Sequence, residues 1–291
     1  MPVTIVTDTT HYLPRELVAQ LGLREVSLYV KLGESLRRES DMTDLPAFWE
    51  RMRTGSELPT TSQPSIGDFL GCYEPLLQDG HDILSIHLSA GISGTYDSAL
   101  QARAQLTERG LEDGRIEVLD SRTVCGGLGL ELLAAAARAR AGAGLQEVAA
   151  HAAATRERLR IWFVLDTLEY LRRGGRVGGA QAWIGGALKI KPILSLESQI
   201  EPVERVRTAG RAFERMVEYM RTLHADGADA WCVQHIQAPA EAQRLVERGT
   251  EVFGCEPRFV GEVGPVIGAH AGPGMIGVGG MPADADADAL R

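Results

Sequence analysis

The sequence predicts an α/β protein of two domains. The first is a Rossmann-like, mostly parallel α/β domain, and the second is an α+β domain with a more antiparallel sheet. Three observations carry this prediction. Apolar strand segments alternate with helical segments through the first half of the chain. Beyond residue 160 two strands are joined by the short turn Glu197-Ser198-Gln199. The length of 291 residues is enough for two hydrophobic cores.

We therefore assign residues 1–160 to the N-terminal domain and residues 161–280 to the C-terminal domain. The remaining residues, 281–291, alternate alanine and aspartate, a composition typical of a disordered tail.

Within the first domain, short apolar runs mark strands, and caps or glycine stops mark helices. Pro14 opens a helix that Gly22 stops, Asp44 can cap a second helix, and Ser65 with Asp68 forms a capping box. The predicted strands are Val3–Val6, Val26–Leu32, Ile83–Leu88 and Ile116–Leu119, and the predicted helices are Leu13–Leu21, Met42–Met52, Ile66–Leu77, the segment from Thr95, Leu128–Ala141 and Leu145–Leu159.

The second domain repeats these signals in a different order. Strands come in adjacent pairs, which favours antiparallel pairing with helices to one side. The predicted strands are Ile161–Leu165, Leu188–Leu196, Ile200–Val206, Ala230–Ile236 and Arg258–Val263, and the predicted helices are Leu168–Leu171, Ala212–Leu223 and Pro239–Gly249.

Composition excludes several classes of function. The chain has 30 lysines and arginines against 39 aspartates and glutamates, a formal net charge of −9, and no dense basic run, so we exclude nucleic acid as a partner. It has no apolar stretch near 20 residues, so we expect no transmembrane segment, no secretory leader and a cytoplasmic location. The four widely spaced cysteines are typical of buried small hydrophobes in a reducing compartment.

Three predicted strands of the first domain end in polar clusters, namely Asp8-Thr9, Ser89–Thr95 and Asp120-Ser121. The carboxyl ends of parallel strands share one edge, where ligands of open α/β folds bind. In the middle cluster Ser93, Gly94 and Thr95 stand where a helix begins, and a helix N-terminus attracts anions. The sequence therefore predicts an anion site at this edge.

Two other interpretations of Ser93 remain open from the residues alone. It can serve as the N-cap of the helix, which needs no ligand. Alternatively, Gly91–Thr95 nearly matches the G-x-S-x-G turn of serine hydrolases, with His270 and Asp120 as the remaining members of a triad. The fifth residue of that motif is Thr95 and not glycine, which weakens the match.

Two further stretches carry polar side chains that have no evident local structural role, such as capping a helix. Leu58–Ser65 is held extended by two prolines and presents Thr61 and Ser62. Gly264–Gly274 is rich in glycine, which brings the backbone close to its neighbours, and contains His270. No histidine stands at metal-binding spacing, so we expect no metal. A nucleotide- or sugar-phosphate-binding enzyme is a further alternative, but the sequence has no G-x-G-x-x-G motif and no P-loop, so we expect no other cofactor.

Taken together, these stretches resemble the DegV family of bacterial fatty-acid-binding proteins, some of which are binding subunits of a fatty acid kinase. The matching motifs follow the family's order and span nearly the whole chain. They are Val6–Thr9, Pro59–Ser65, Leu88–Tyr96, Asp120-Ser121, Gly174–Arg176, Leu188–Leu194, Arg207-Thr208 and Ile267–Gly274. Two positions depart from the family pattern, Thr9 in place of serine and Ala271 in place of threonine.

The resemblance implies a non-enzymatic carrier with a long-chain fatty acid, such as palmitate, stearate or oleate, buried between the two domains. Thr61 and Ser93 would hold the carboxylate, with His270 nearby. Arg176 and Arg207 would lie at the mouth, where a kinase partner and an acyl phosphate are handled. The same motifs supply the remaining candidate ligand-binding residues, Asp8, Ser62, Gly94, Thr95 and Ser121.

Overall fold

A four-stranded parallel sheet, sheet A, forms the centre of the N-terminal half. The computed structural model describes residues 1–54, 58–184 and 190–286. The four strands pair in the order β2-β1-β6-β7, each parallel to its neighbour, as alternating strands and helices require. They are β1 (Val3–Asp8), β2 (Arg24–Val26), β6 (Asp82–His87) and β7 (Ile116–Asp120).

Helices cover both faces of sheet A, as parallel sheets require. The predicted helix ends are confirmed at two places: Gly22 stops α1 in the left-handed conformation, and Ser65 with Asp68 forms the capping box of α3. The helices of this half are α1 (Arg15–Leu21), α2 (Leu45–Thr54), α3 (Ile66–Gln78), α4 (Thr95–Glu108), α5 (Gly126–Arg140) and α6 (Leu145–Arg158).

The single strand predicted over Val26–Leu32 is wrong, because the chain leaves sheet A after Val26 and enters a second sheet at Tyr29. This antiparallel sheet B has the order β4-β3-β5, and the left-handed Gly33 makes the turn between β3 and β4. Its strands are β3 (Tyr29–Leu32), β4 (Ser35–Arg38) and β5 (Thr60–Ser62).

The C-terminal half contains sheet C, a six-stranded sheet in the order β10-β9-β8-β13-β11-β12. All neighbouring pairs are antiparallel except β11 with β12, which confirms the predicted more antiparallel second sheet. The strands are β8 (Arg160–Val164), β9 (Lys191–Glu197), β10 (Gln199–Val206), β11 (Ala230–His235), β12 (Phe259–Glu262) and β13 (Ile276–Met281).

Helix α5 is buried between the two large sheets. Every residue from Gly126 to Ala137 is buried, and the helix packs against β1 of sheet A and against β11 and β13 of sheet C. Two amphipathic helices, α8 (Ala209–Ala225) and α9 (Pro239–Phe253), cover the other face of sheet C. Two short helices, α7 (Glu169–Arg173) and α10 (Pro265–Ala271), contact each other beside sheet B.

The disordered tail predicted over 281–291 is wrong for its first six residues. Met281 is the last residue of β13 and pairs with Ala230. Asp286 is buried and accepts two hydrogen bonds from the Arg258 guanidinium, at 2.6 and 2.9 Å, so this bidentate ion pair fixes the chain here. Residues 287–291 lie outside the described part, as does the start of the strand predicted from Leu188.

Candidate functional site

A long cavity runs between sheet C and the layer above it that contains α5. Sheet C forms the floor of this cavity, which we also call the tunnel. Successive residues of a strand point to opposite faces of the sheet, and those that point into the tunnel form two rows across neighbouring strands. One row joins Phe163, Gly277 and Gln234, and the other joins Ile161, Gly279 and Cys232.

Two glycines in β13 make room for the cavity. Gly277 and Gly279 occupy the central strand of both rows, so no side chain stands between the residues of β8 and β11. On the opposite face of the same strand, Ile276 and Val278 pack against α8 and α9. The alternation of glycine with large apolar residues therefore gives one filled face and one empty face.

The space between these walls, counted together with the solvent at its open end, is about 980 Å³. Most of its walls are apolar, and the glycines that begin α5 form part of the roof. The residues of this mostly apolar lining include Leu28, Leu88, Val124, Cys125, Gly126, Gly127, Leu171, Leu196, Val266, Ala271 and Met275.

Polar side chains gather at one end of the cavity, which we call the mouth. Thr61 and Ser62 come from strand β5, Ser93 from the loop between β6 and α4, and His270 from α10. All of them line the cavity together with Arg176, which follows α7. The structure thus brings together residues from both halves of the sequence.

Thr61 and His270 form a direct pair, with the Thr61 hydroxyl 2.8 Å from His270 Nε2. Burial lowers the pKa of His270 to about 4, and the positive charge of Arg176 adds to this effect. The imidazole is therefore neutral at pH 7. If Nε2 carries the ring proton, it donates to Thr61 Oγ1, and the Thr61 hydroxyl keeps its own proton for a ligand.

Ser93 has the same kind of support. Its Oγ lies 2.9 Å from the buried Thr95 hydroxyl and accepts a 3.3 Å hydrogen bond from the Thr95 backbone N–H. When Thr95 donates, the Ser93 hydroxyl proton stays free to point into the cavity. The helix N-cap is Gly94, so Ser93 is not the cap, and the site has the donors that an anion requires.

Glycines allow the mouth to close tightly. A Cβ on Gly174 would lie 2.1 Å from His270 Nδ1, so only glycine at this position lets the imidazole take its place. A Cβ on Gly94 would lie 3.0 Å from the Gln63 side-chain nitrogen. The Arg176 guanidinium donates to the carbonyl oxygens of Ile92 (3.2 Å) and Gly174 (2.8 Å), which ties the two sides of the mouth together.

Three predicted site residues, Asp8, Ser121 and Arg207, do not line the mouth. Asp8 is fully buried beneath the sheet edge, where it accepts hydrogen bonds from the N–H groups of Thr10 and Leu88. Burial alone would raise the pKa of Asp8, but its bond to His87 and these hydrogen bonds outweigh that effect and lower it. Ser121 is buried, and its hydroxyl bonds to the backbone of Thr123.

Arg207 also lies away from the mouth. Ile200, at the start of β10, lines the mouth, whereas Arg207 follows Val206 at the other end of that strand. At about 3.3 Å per residue the two ends are roughly 23 Å apart. Arg207 is exposed on the surface at that end.

The serine-hydrolase triad is not assembled among the described residues. His270 Nε2 bonds to Thr61, and Asp120 accepts from the backbone N–H groups of Ala90 and Arg122. A serine–histidine–aspartate relay does exist in the core, where Ser85 Oγ lies 2.7 Å from His87 Nε2 and His87 Nδ1 lies 3.1 Å from Asp8. All three of those residues are fully buried, so the relay holds strands together and meets no substrate.

Sequence reasoning missed Glu39, whose buried carboxyl group lies beside the site. Glu39 accepts hydrogen bonds from the Thr9 hydroxyl (2.6 Å), the Tyr12 hydroxyl (2.8 Å) and the backbone N–H of Val266 (2.8 Å). Burial raises the pKa of Glu39 to about 7 in spite of these bonds. The carboxyl group thus anchors the first turn of the helix that carries His270, and no motif marked it.

Residues 1–54, 58–184 and 190–286 contain no cluster of histidine, cysteine, aspartate or glutamate that could hold a metal ion. None of their helices is both long and apolar enough to span a membrane.

The comparisons with known proteins agree with this architecture. The sequence profile of the DegV family matches residues 2–283. A DegV domain-containing protein of Clostridium acetobutylicum is 38% identical over 280 residues, which cover 96% of this chain and 97% of that protein.

Two solved structures share the fold over nearly their whole length. One is a DegV family protein from Thermus thermophilus, described as fatty acid binding, with a TM-score of 0.85 and 33% identity over 97% of this chain and 100% of the other. The second is DegV of Bacillus subtilis, described as a fatty acid binding protein, with a TM-score of 0.85 and 32% identity over 97% and 99% of the two chains. With a matching profile, a matching fold and the same order of motifs, the chain belongs to the DegV family.

Proposed function

We propose that this protein binds one long-chain fatty acid, such as palmitate, stearate or oleate, along the cavity between the two sheets. The observation that carries the proposal is a long, mostly apolar cavity with a hydroxyl-lined mouth. The related proteins of Thermus thermophilus and Bacillus subtilis are described as fatty acid binding, which supports the same ligand class. The chain carries the acid and supplies no catalytic residue of its own.

The carboxylate lies at the mouth, where it accepts hydrogen bonds from the hydroxyls of Thr61 and Ser93. His270 and Thr95 act behind them, because each can donate to one of these hydroxyls and so leave that hydroxyl's own proton for the ligand. Ser62 and the start of α4 complete the polar wall. An ionised carboxylate leaves water at a high cost, and such charge-assisted bonds offset it.

A substitution that fills the cavity tests the proposal. A Cβ on Gly277 would make only ordinary contacts, 3.4 Å to Phe163 Cβ and 3.5 Å to the Trp162 carbonyl oxygen, so the rest of a leucine side chain extends into the tunnel. We expect Gly277→Leu to fold and to lose the fatty acid that native mass spectrometry and lipid extraction find on the wild-type protein. The matched control is Gly71→Leu, at an exposed helical position with open space around it.

Two results would contradict this proposal. One is a wild-type protein that, purified from cells or incubated with palmitate, carries no fatty acid. The other is a Gly277→Leu variant that carries as much as the control, which would place the ligand outside the cavity.

We further propose that the protein presents the bound acid to a partner kinase. A carboxylate oxygen attacks the terminal phosphorus of the kinase's nucleoside triphosphate, the bond from that phosphorus to the bridging oxygen breaks, and the acyl phosphate forms as the nucleoside diphosphate leaves. This step needs a carboxylate near solvent and a cation suited to phosphate oxygens, and the exposed Arg176 supplies that cation beside the mouth. Arg176→Ala should lower the rate of acyl phosphate formation with little change in palmitate affinity. Arg207→Ala, at the far end of β10, is the matched control, and equal rates for both variants would contradict the assignment.

A further inference from the structure

The end of the tunnel opposite the mouth contains a buried polar atom without a hydrogen-bond partner. Gln234 is 3% exposed and lines the cavity. Its side-chain nitrogen donates to the backbone carbonyl oxygens of His11 (3.0 Å) and Tyr12 (3.2 Å). Its side-chain oxygen, Oε1, accepts no hydrogen bond from any residue in the described parts of the chain.

The orientation of this amide is fixed by its neighbours. Carbonyl oxygens only accept hydrogen bonds, so exchanging the nitrogen and oxygen of Gln234 would place Oε1 against two acceptors. Oε1 therefore faces the other way, 3.5 Å from the position that a Cβ on Gly126 would occupy. Gly126 lies in the tunnel roof, so the oxygen points from the floor of the tunnel toward the roof and is buried between them.

The distance from the mouth matches the length of an acyl chain. Gln234 is on β11, four strands across sheet C from Ile200 on β10 at the mouth. At about 4.8 Å between strands this is roughly 19 Å. At about 1.5 Å per carbon–carbon single bond and tetrahedral angles, a fully extended sixteen-carbon chain spans about 19 Å. A fatty acid with its carboxylate at the mouth thus brings its last carbons near Gln234.

We propose that the far end of the tunnel binds a hydroxyl group, and that the protein accepts long-chain fatty acids hydroxylated at or near the terminal carbon. The inference rests on the proposed fatty acid binding and names the ligand class more narrowly. A hydroxyl can donate to Gln234 Oε1, whereas a methyl end leaves that oxygen buried and unpaired. A carboxylate has no proton to donate, so the same oxygen rejects the head group and fixes the direction in which the acid enters.

Competition binding with three acids of equal length tests the inference. The acids are hexadecanoic, 16-hydroxyhexadecanoic and 8-hydroxyhexadecanoic acid, whose mid-chain hydroxyl lies over the glycine floor. We expect the wild-type protein to bind the 16-hydroxy acid at least as tightly as hexadecanoic acid, and the 8-hydroxy acid about tenfold more weakly. In Gln234→Met the 16-hydroxy acid should bind about tenfold more weakly than hexadecanoic acid, which keeps its affinity and so reports an intact tunnel.

Other results would contradict either this inference or the proposed function. If the wild-type protein binds hexadecanoic acid but rejects the 16-hydroxy acid tenfold, Oε1 is satisfied by a bound water only and this inference fails alone. If none of the three acids binds, the proposed function fails and this inference fails with it. If Gln234→Met does not fold, the wild-type preference for the 16-hydroxy over the 8-hydroxy acid decides, and its absence refutes the inference.

Discussion

Replacing Thr61 by valine tests the head-group chemistry most directly. The change keeps the branched shape that suits strand β5 and removes only the hydroxyl. That hydroxyl can give the carboxylate one hydrogen bond, and bonds to charged groups contribute about 1.5–3 kcal/mol. We therefore expect the Kd for palmitate to rise by roughly 10- to 150-fold, measured by displacement of a fluorescent fatty acid.

The structure also predicts that Thr61 and His270 act as one unit. Because the two side chains are bonded at 2.8 Å, His270→Leu removes the group that orients the Thr61 proton. The double variant should then lose less binding free energy than the sum of the single variants, by about 0.5–3 kcal/mol. Additive losses would show that His270 does not act through Thr61, and an unchanged Kd in Thr61→Val would show that other groups hold the carboxylate.

Two further predictions concern the support of the site. Gly174→Ala places a Cβ against the His270 ring, so we expect a loss of palmitate affinity similar to that of His270→Leu, and equal affinity to wild type would contradict the packing described for Gly174. Glu39 has an ordinary pKa of 4.5 and a folded pKa of about 7, so the folded chain binds more protons between these values and its unfolding free energy should fall by about 3 kcal/mol as pH rises through them. Denaturant unfolding from pH 4.5 to 8 should show this fall in wild type relative to Glu39→Gln, and parallel curves would contradict the burial argument.

The parallel sheet and its helices were predictable because their signals are local. The strand Asp82–His87 is marked by Ile83, Leu84 and Ile86 close together, and the Ser65 capping box and the Gly22 stop depend only on neighbours in sequence. The strand Ile276–Met281 was not predicted, because glycine disfavours strands and three of its six residues are glycine. Its position in the centre of sheet C comes from long-range pairing that no local pattern reports.

The site was partly predictable for the same reason. The mouth residues lie in motifs, so Thr61, Ser93 and His270 could be named in advance, and the structure brings all three to one cavity. Gln234 stands within an apolar strand and nothing in the sequence separates it from a surface residue. Arg207 shows the converse: a motif placed it at the mouth, and the direction of β10 carries it to the other end.

The relative contributions of the acyl chain and the head group to the binding free energy predict which variants keep their lipid during purification. Burial of the fourteen methylenes of a sixteen-carbon acid contributes on the order of 11 kcal/mol at about 0.8 kcal/mol each, before the losses of binding. Two hydrogen bonds to the carboxylate contribute about 3–6 kcal/mol together. A variant without the hydroxyls of Thr61 and Ser93 should therefore still be purified with lipid, although its measured Kd rises, whereas Gly277→Leu should be purified without lipid. If the double hydroxyl variant is recovered empty and Gly277→Leu is recovered full, the head group holds the ligand and the tunnel does not.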